Sequence, residues 1–518
     1  MTASPAKEDP DALGAVQRLL QQGEVAKALE TLNGLADTAQ SSVMGQYMRG
    51  VCLRLMGEFA NAESALRQLV EGNPSYGRAF QELGHLYRDA NMPTEALNAY
   101  ATACHLNPGL KASWAAQRDL IGKGSPDRAA QINQRLQWLG SLPPALLASW
   151  DLLHEGKLHK AEQLCRQFMQ QNPQHIDGMR VLAEIATRHG VLEDAEFLLE
   201  SAVEFEPEHR QARIDYVQIL SKRQRFQRAV EEAKALLDQA PDNPQLQSLY
   251  AIQCMQLGDY ESALTLFDKI LDRVPNDPVT NVSKGHALKT GGRSEDAITA
   301  YRAALKSQPF YCDAWYSLAN LKVYQFDDDE LSSMQALDDN PHLGGQDRVY
   351  LQFALGKAFE DRKDYEQSFH HYAKGNAIKK NQLQYKAEGT TQECDDQITA
   401  CTRQVFERET GHTAPDPIFI LGLPRAGSTL LEQILSSHSM VDGTLELPNV
   451  LSISGKLRRL GQREGNHKYP FNLADLSAEQ LATLGEEYIR DTQVHRMGAH
   501  RSSSTRCQIT SATLGSLS

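Results

Sequence analysis

Positive charge is in deficit: 53 Lys and Arg stand against 66 Asp and Glu, a formal net charge of −13. That balance argues against a general binder of nucleic acid or of an anionic membrane surface, and leaves room only for a local basic pocket. Long apolar runs are also missing. No stretch reaches the ~20 residues of a membrane span, and Met1 to Asp11 carries Lys7, Glu8 and Asp9 where a secretion signal would be apolar. Cytoplasmic residence is the expectation. The eight cysteines, Cys52, Cys104, Cys165, Cys254, Cys312, Cys394, Cys401 and Cys507, have no paired metal-ligand spacing, so neither a zinc site nor a disulfide framework is expected, and most should be small buried side chains. At 518 residues the chain exceeds one hydrophobic core, so two or more domains are expected.

What is present is a period. Pro173, Pro207, Pro241, Pro275 and Pro309 follow one another at 34 positions, and Ala161, Ala195, Ala229, Ala263 and Ala297 keep the same interval upstream. Pro74 with Pro108, Ala62 with Ala96 and Gly50 with Gly84 form an earlier set in phase with itself. Small residues allow two helices to approach closely, and Pro ends the second helix and starts the turn. The unit from Tyr76 to Pro108 resembles the tetratricopeptide consensus, with Phe80, Leu83, Gly84, Tyr87, Ala96, Tyr100, Ala103 and Pro108 at the signature offsets. Trp114 and Ala130 continue the register, but the step from Ala130 to Ala161 is 31, which predicts a kink or packing break near Pro143 and Pro144. After Trp315, Leu318 and Ala319 the pattern is interrupted by the acidic, turn-rich Phe326 to Gly345; Leu355, Gly356, Phe359, Ser368 and Tyr372 then resume it.

The reading is therefore a mainly α protein: a helical lead-in over 1–40, a repeat solenoid over 41–390 and a helical linker over 391–415. A solenoid of this kind offers an extended surface for a protein or peptide. Nucleic acid and membrane are not expected as partners.

From Pro417 the period changes. Ile418, Phe419, Ile420 and Leu421 read as a buried strand, followed by Gly422-Leu423-Pro424-Arg425-Ala426-Gly427-Ser428-Thr429 and a helix with Leu430, Leu431, Ile434 and Leu435 expected to face inward. Strand, Gly-bounded loop and helix aim backbone N–H groups and a helix N-terminus at one anion. Ser428 stands where a nucleoside-triphosphate loop has Lys, which disfavours ATP or GTP hydrolysis.

The run Leu423 to Leu430 is similar to the 5′-phosphosulfate loop of sulfotransferases, above all the tyrosylprotein branch, and tetratricopeptide-linked sulfotransferases share this domain order. The resemblance implies an α/β, P-loop-like domain and 3′-phosphoadenosine 5′-phosphosulfate as co-substrate, with no metal. It places Pro424, Arg425, Ala426, Gly427, Ser428 and Thr429 on that co-substrate. Ala426 departs from the Ser common in the family and removes one hydroxyl donor. Glu446, 21 positions after Arg425, matches the general base of the tyrosylprotein enzymes, and Arg425 would offset charge on the leaving group. His438 reads as a helix-end residue. The span 416–499 is then the first part of such a domain, which ordinarily takes ~250 residues.

Residues 500–518 are Ser- and Thr-rich, show no clear helix or strand period and are expected to be aberrant. Permitted codons for Arg501 to Ser511, read one base out of phase, spell Phe-Phe-Ile-Asp-Lys-Met-Pro-Asn-Asn-Phe, which resembles the family's Asp-Lys-x-Pro-x-Asn segment. The expectation is a frameshift that truncates the domain. The competing reading is a non-catalytic repeat adaptor.

Overall fold

The computed structural model describes residues 10–121, 125–321, 323–340, 343–383, 385–408, 411–414, 417–423, 426–447, 449–463, 468–493 and 502–508. It divides into two compact units, Met1–Gly375 and Asn376–Ser518.

The first unit is a succession of antiparallel helix pairs such as Gly77–Asp89 with Pro93–Leu106 and Pro278–Thr290 with Ser294–Ser307. The periodic alanines are its seam: Ala62, Ala96, Ala161, Ala195, Ala229, Ala263 and Ala297 are wholly buried, and so is Ala28, which carries the period back into the lead-in. Close approach explains the glycines. A Cβ at Gly84 would stand 2.6 Å from the Tyr100 ring, one at Gly285 2.4 Å from Tyr301, and one at Gly356 2.6 Å from Tyr372. Each first helix thus gives up a side chain to admit an aromatic ring from the second. The turn inside each pair has its own period: Gly23, Gly57 and Asn91, then Gly156, Gly190, Gln224, Gly258 and Gly292, all have positive φ. Glycine suits that left-handed position because it has no Cβ to clash with the carbonyl.

The break near Pro143 is present. Helix Pro126–Ser141 ends there, and helix Pro144–His154 starts with Pro in its first turn. Arg78, at the start of helix Gly77–Asp89, pairs with both Asp151 and Glu155, and Asn107 donates to Asp151 at 2.7 Å. In a regular solenoid each repeat touches only its neighbours. Here the pair Lys111–Ile121 and Pro126–Ser141 is bypassed, and Trp138 of the bypassed helix donates its indole N–H to Asp177 at 3.1 Å. The acidic interruption forms an additional helix, Asp328–Asp338, opened by a capping box between Asp327 and Glu330. Five cysteines, Cys52, Cys104, Cys165, Cys254 and Cys312, are buried as expected, while Cys394 and Cys401 in the second unit are half-buried.

The second unit holds a three-stranded parallel sheet: β1 (Pro417–Gly422), β2 (Val441–Glu446) and β3 (Ser502–Gln508), in the order β1-β3-β2. The predicted strand at Ile418–Leu421 is β1, but it is not buried throughout: Ile420 is buried, Ile418 half-buried, and Phe419 and Leu421 are exposed. Two further expectations need correction. Residues 502–508 lie in the central strand, paired from Pro417↔Ser503 to Gly422↔Gln508 on one side and Val441↔Ser502 on the other. Parallel pairing uses the backbone of every residue, so a run of Ser and Thr without alternation can join a sheet while giving no periodic signal. The helix after the loop, Ser428–Ser436, turns three of the four predicted residues outward: Leu430 and Ile434 are 62 % and 58 % exposed and Leu431 is exposed, while Leu435 is half-buried and Glu432 is its buried residue. Its sheet-facing side carries Glu432 and Ser436, both within 3.5 Å of where a Cβ on Gly443 of β2 would lie. No described element covers the opposite, apolar side.

Candidate functional site

The loop after β1 closes on itself through the Ala426 N–H, which donates to the Leu423 carbonyl at 3.1 Å. A Cβ on Gly422 would stand 3.3 Å from that of Ala426, so the turn is tight at its mouth. Gly427 has φ +87°, a left-handed conformation that only Gly takes without strain, and it is the N-cap of helix Ser428–Ser436, a position where it has no side chain of its own to cap the first turn. Thr429 is exposed and Ser428 half-buried beside it. Pro424 and Arg425 lie outside the described residues.

Glu446 is the last residue of β2, opposite Arg506 of β3, and Gly422 is the last residue of β1, opposite Gln508. All three strands are parallel, so the loop and Glu446 lie at the same carboxyl edge of one sheet, two strand spacings or roughly 10 Å apart. Open parallel sheets bind ligands at this edge, beyond the strand ends. His438 lies two residues beyond the helix end; its Nδ1 accepts from the Met440 N–H at 3.2 Å. Sequence reasoning missed Glu432, Asp442 and Thr444, which are buried around the helix and β2. Isolated polar residues in a short helix and a short strand carry no periodic sign of burial.

An apolar cavity of about 240 Å³ lies elsewhere in this unit, lined by Pro417, Phe419, Val450, Leu457, Leu484 and Tyr488 among others. None of its described lining belongs to the Gly422–Thr429 loop. In the repeat unit, His159, Glu162 and His189 offer three ligand atoms within 4.8 Å of one another, with Glu162 already accepting from Arg166 at 2.8 Å.

The first unit has the architecture of a tetratricopeptide-repeat array. A tetratricopeptide-repeat model matches residues 13–77 and 282–321, and the tetratricopeptide domain of cytochrome c-type biogenesis protein H matches residues 164–280. The sulfotransferase family model matches residues 417–515, so the chain joins tetratricopeptide repeats to a C-terminal domain of the sulfotransferase family. That match takes in the strand at 502–508. An uncharacterized protein of Aquifex aeolicus (strain VF5) is 30 % identical over 208 residues, covering 39 % of this chain and 27 % of that protein. The chain thus spans little more than a quarter of that relative's length. Among solved structures, YrrB, described as a tetratricopeptide protein with an unusual peptide-binding site, is 12 % identical with a TM-score of 0.28, covering 42 % of this chain and 97 % of its own. PilF of Pseudomonas aeruginosa is 14 % identical with a TM-score of 0.33, covering 42 % and 96 %. Among the described residues no helix is long and apolar enough to cross a membrane.

Proposed function

We propose that the C-terminal unit transfers a sulfuryl group from 3′-phosphoadenosine 5′-phosphosulfate to an acceptor hydroxyl, with protein tyrosine as the acceptor class and the repeat array holding the acceptor protein. The observation that carries this is the backbone-built loop at Gly427, at the carboxyl edge of a parallel sheet, in a segment matched by the sulfotransferase family. In this reading Pro424 to Thr429 bind the phosphosulfate through main-chain amides and the Ser428 and Thr429 hydroxyls. Arg425 offsets the charge that builds as the donor's bridging oxygen departs.

Glu446 is the general base. It takes the acceptor proton as the acceptor oxygen bonds to sulfur, and the electron pair of the breaking S–O bond leaves on the 5′-phosphate. A phenol is mostly protonated at neutral pH, which is why a base raises its nucleophilicity. The proposal includes residence in a reducing compartment such as the cytoplasm, in keeping with the free cysteines of both units.

The test is transfer of labelled sulfate to tyrosine peptides. Arg425→Ala and Glu446→Gln are each expected to lower it by about a hundredfold or more. Unchanged transfer in Arg425→Ala would remove the site assignment. One observation favours the second reading, an adaptor with an inactive remnant: the helix behind the loop leaves Leu430, Leu431 and Ile434 exposed. Absence of donor binding in calorimetry, with peptide binding retained, would establish that reading.

A further inference from the structure

The register break in the array builds a second polar site. Helix Pro126–Ser141 leans on the first helices of later repeats, Ile176–Arg188 and Arg210–Lys222, and encloses with them a cavity of about 200 Å³. That is less than the ~300 Å³ at which pockets begin to hold a drug-sized molecule, and suits a single side chain. Arg135, Trp138, Trp150, Arg180, Asp215 and Lys222 are in its lining.

The charges at this cavity do not balance. Arg180 is satisfied by Asp177 at 2.6 Å and Asp215 at 2.7 Å, and Glu184 by Arg188 at 3.0 Å. Arg135 has no ion pair among the described residues. Its guanidinium lies 4.4 Å over the Trp138 ring, and its buried Nε has no acceptor among the described residues. Trp150, edge-on to Trp138 at 5.7 Å, likewise has a buried indole N–H without an acceptor. Burial, and then repulsion from Arg180, pull the Arg135 guanidinium below its ordinary pKa. A half-buried cation placed beside another cation, with orphaned donors around it, costs stability in the free protein. Such a cost is expected where a ligand supplies the missing partner.

We propose that this cavity binds the anionic side-chain head of a peptide lying on the array, with Arg135 as its principal contact and the Trp138 and Trp150 rings as its walls. The inference rests on the reading of the array as a peptide-binding surface and adds the chemistry of one subsite. The recognised group is an oxyanion, carboxylate, sulfate ester or phosphate ester, which a guanidinium meets with paired hydrogen bonds.

The experiment uses the full chain and acetyl-Gly-Gly-X-Gly-Gly-amide peptides in which X is Glu, O-sulfotyrosine, phosphotyrosine or Tyr. Binding is followed by tryptophan fluorescence, since two of the four tryptophans stand at the site. At least one anionic peptide is expected to bind more tightly than the Tyr peptide, and the three anionic arms tell carboxylate, sulfate and phosphate apart. Arg135→Gln is expected to weaken that binding about tenfold or more, while melting no lower than the unchanged protein. Arg135→Lys should retain part of the affinity.

Equal anionic binding by Arg135→Gln overturns the subsite but leaves the peptide-binding surface standing. Equal affinity for the Tyr and anionic peptides does the same. Early melting of Arg135→Gln would show that Arg135 supports the fold, and would overturn the argument from its cost. Failure of every peptide to bind the unchanged protein removes the subsite and the peptide reading together.

Discussion

Replacing Gly84 by Ala sets two effects of opposite sign against each other. Gly84 is inside helix Gly77–Asp89, where Ala is favoured by about 1 kcal/mol on propensity alone. The new methyl would stand 2.6 Å from Cδ1 of Tyr100. That ring cannot swing aside cheaply, because Tyr100 is wholly buried and its hydroxyl lies 2.6 Å from Nδ1 of His85. Overpacking of a filled core costs about 1–3 kcal/mol, so steric cost wins and the net loss should be about 1 kcal/mol. Gly72 is the control: it ends helix Phe59–Gly72 with nothing within 4 Å of a Cβ, so Gly72→Ala should be neutral or slightly stabilising. Long repeat arrays do not unfold in one step. The assay is therefore hydrogen exchange resolved to the helices Gly77–Asp89 and Pro93–Leu106, beside urea unfolding followed by circular dichroism. Slower exchange in those helices in Gly84→Ala than in the parent would refute the packing argument.

Other perturbations read other parts of the structure. Gln224 occupies a left-handed turn position that Gly takes in most repeats; Gln224→Gly should stabilise by about 0.5 kcal/mol, the relief of strain exceeding the added chain entropy, measurable as a higher urea midpoint. Arg78→Met should cost about 2 kcal/mol, less than for a fully buried pair because Arg78 is 32 % exposed. Burial pushes the Glu155 carboxyl up, but hydrogen bonds from Lys157 and Arg78 more than offset it and hold the group below its ordinary value of 4.5. Its contribution is therefore present above pH 4.5 and lost as pH falls through the lower folded value, so Arg78→Met should flatten the acid limb of an unfolding-versus-pH curve. Leu430→Gln combined with Ile434→Gln should reduce concentration-dependent light scattering and change stability by less than about 0.5 kcal/mol, because both side chains are exposed.

The array was legible in the sequence because each of its signals repeats. Buried alanines at a fixed interval, and glycines facing rings, recur until chance cannot account for them, and the 31-residue step marked the break at the right place. What the break does was not legible. Trp138 meets Asp177, and Arg78 meets Asp151, across 39 and 73 residues, and no local pattern encodes such contacts. The left-handed turns were overlooked because Asn91 and Gln224 interrupt the glycines within two runs that the backbone carries at a 34-residue interval. In the second unit the strand, loop and helix followed from local chemistry. The orientation of the helix did not, since it depends on the φ of Gly427 and on the strands it faces. The central strand was missed for want of alternation, and Arg425 and the Glu446 side chain keep their assignments through family resemblance.

The bridge from Arg78 to helix Pro144–His154 also separates two properties that solenoids usually couple. The flanking blocks are held to each other directly, so part of their association does not pass through the intervening helix pair. Exposed positions of that pair can therefore be exchanged while the Arg78 contact between the blocks stays in place.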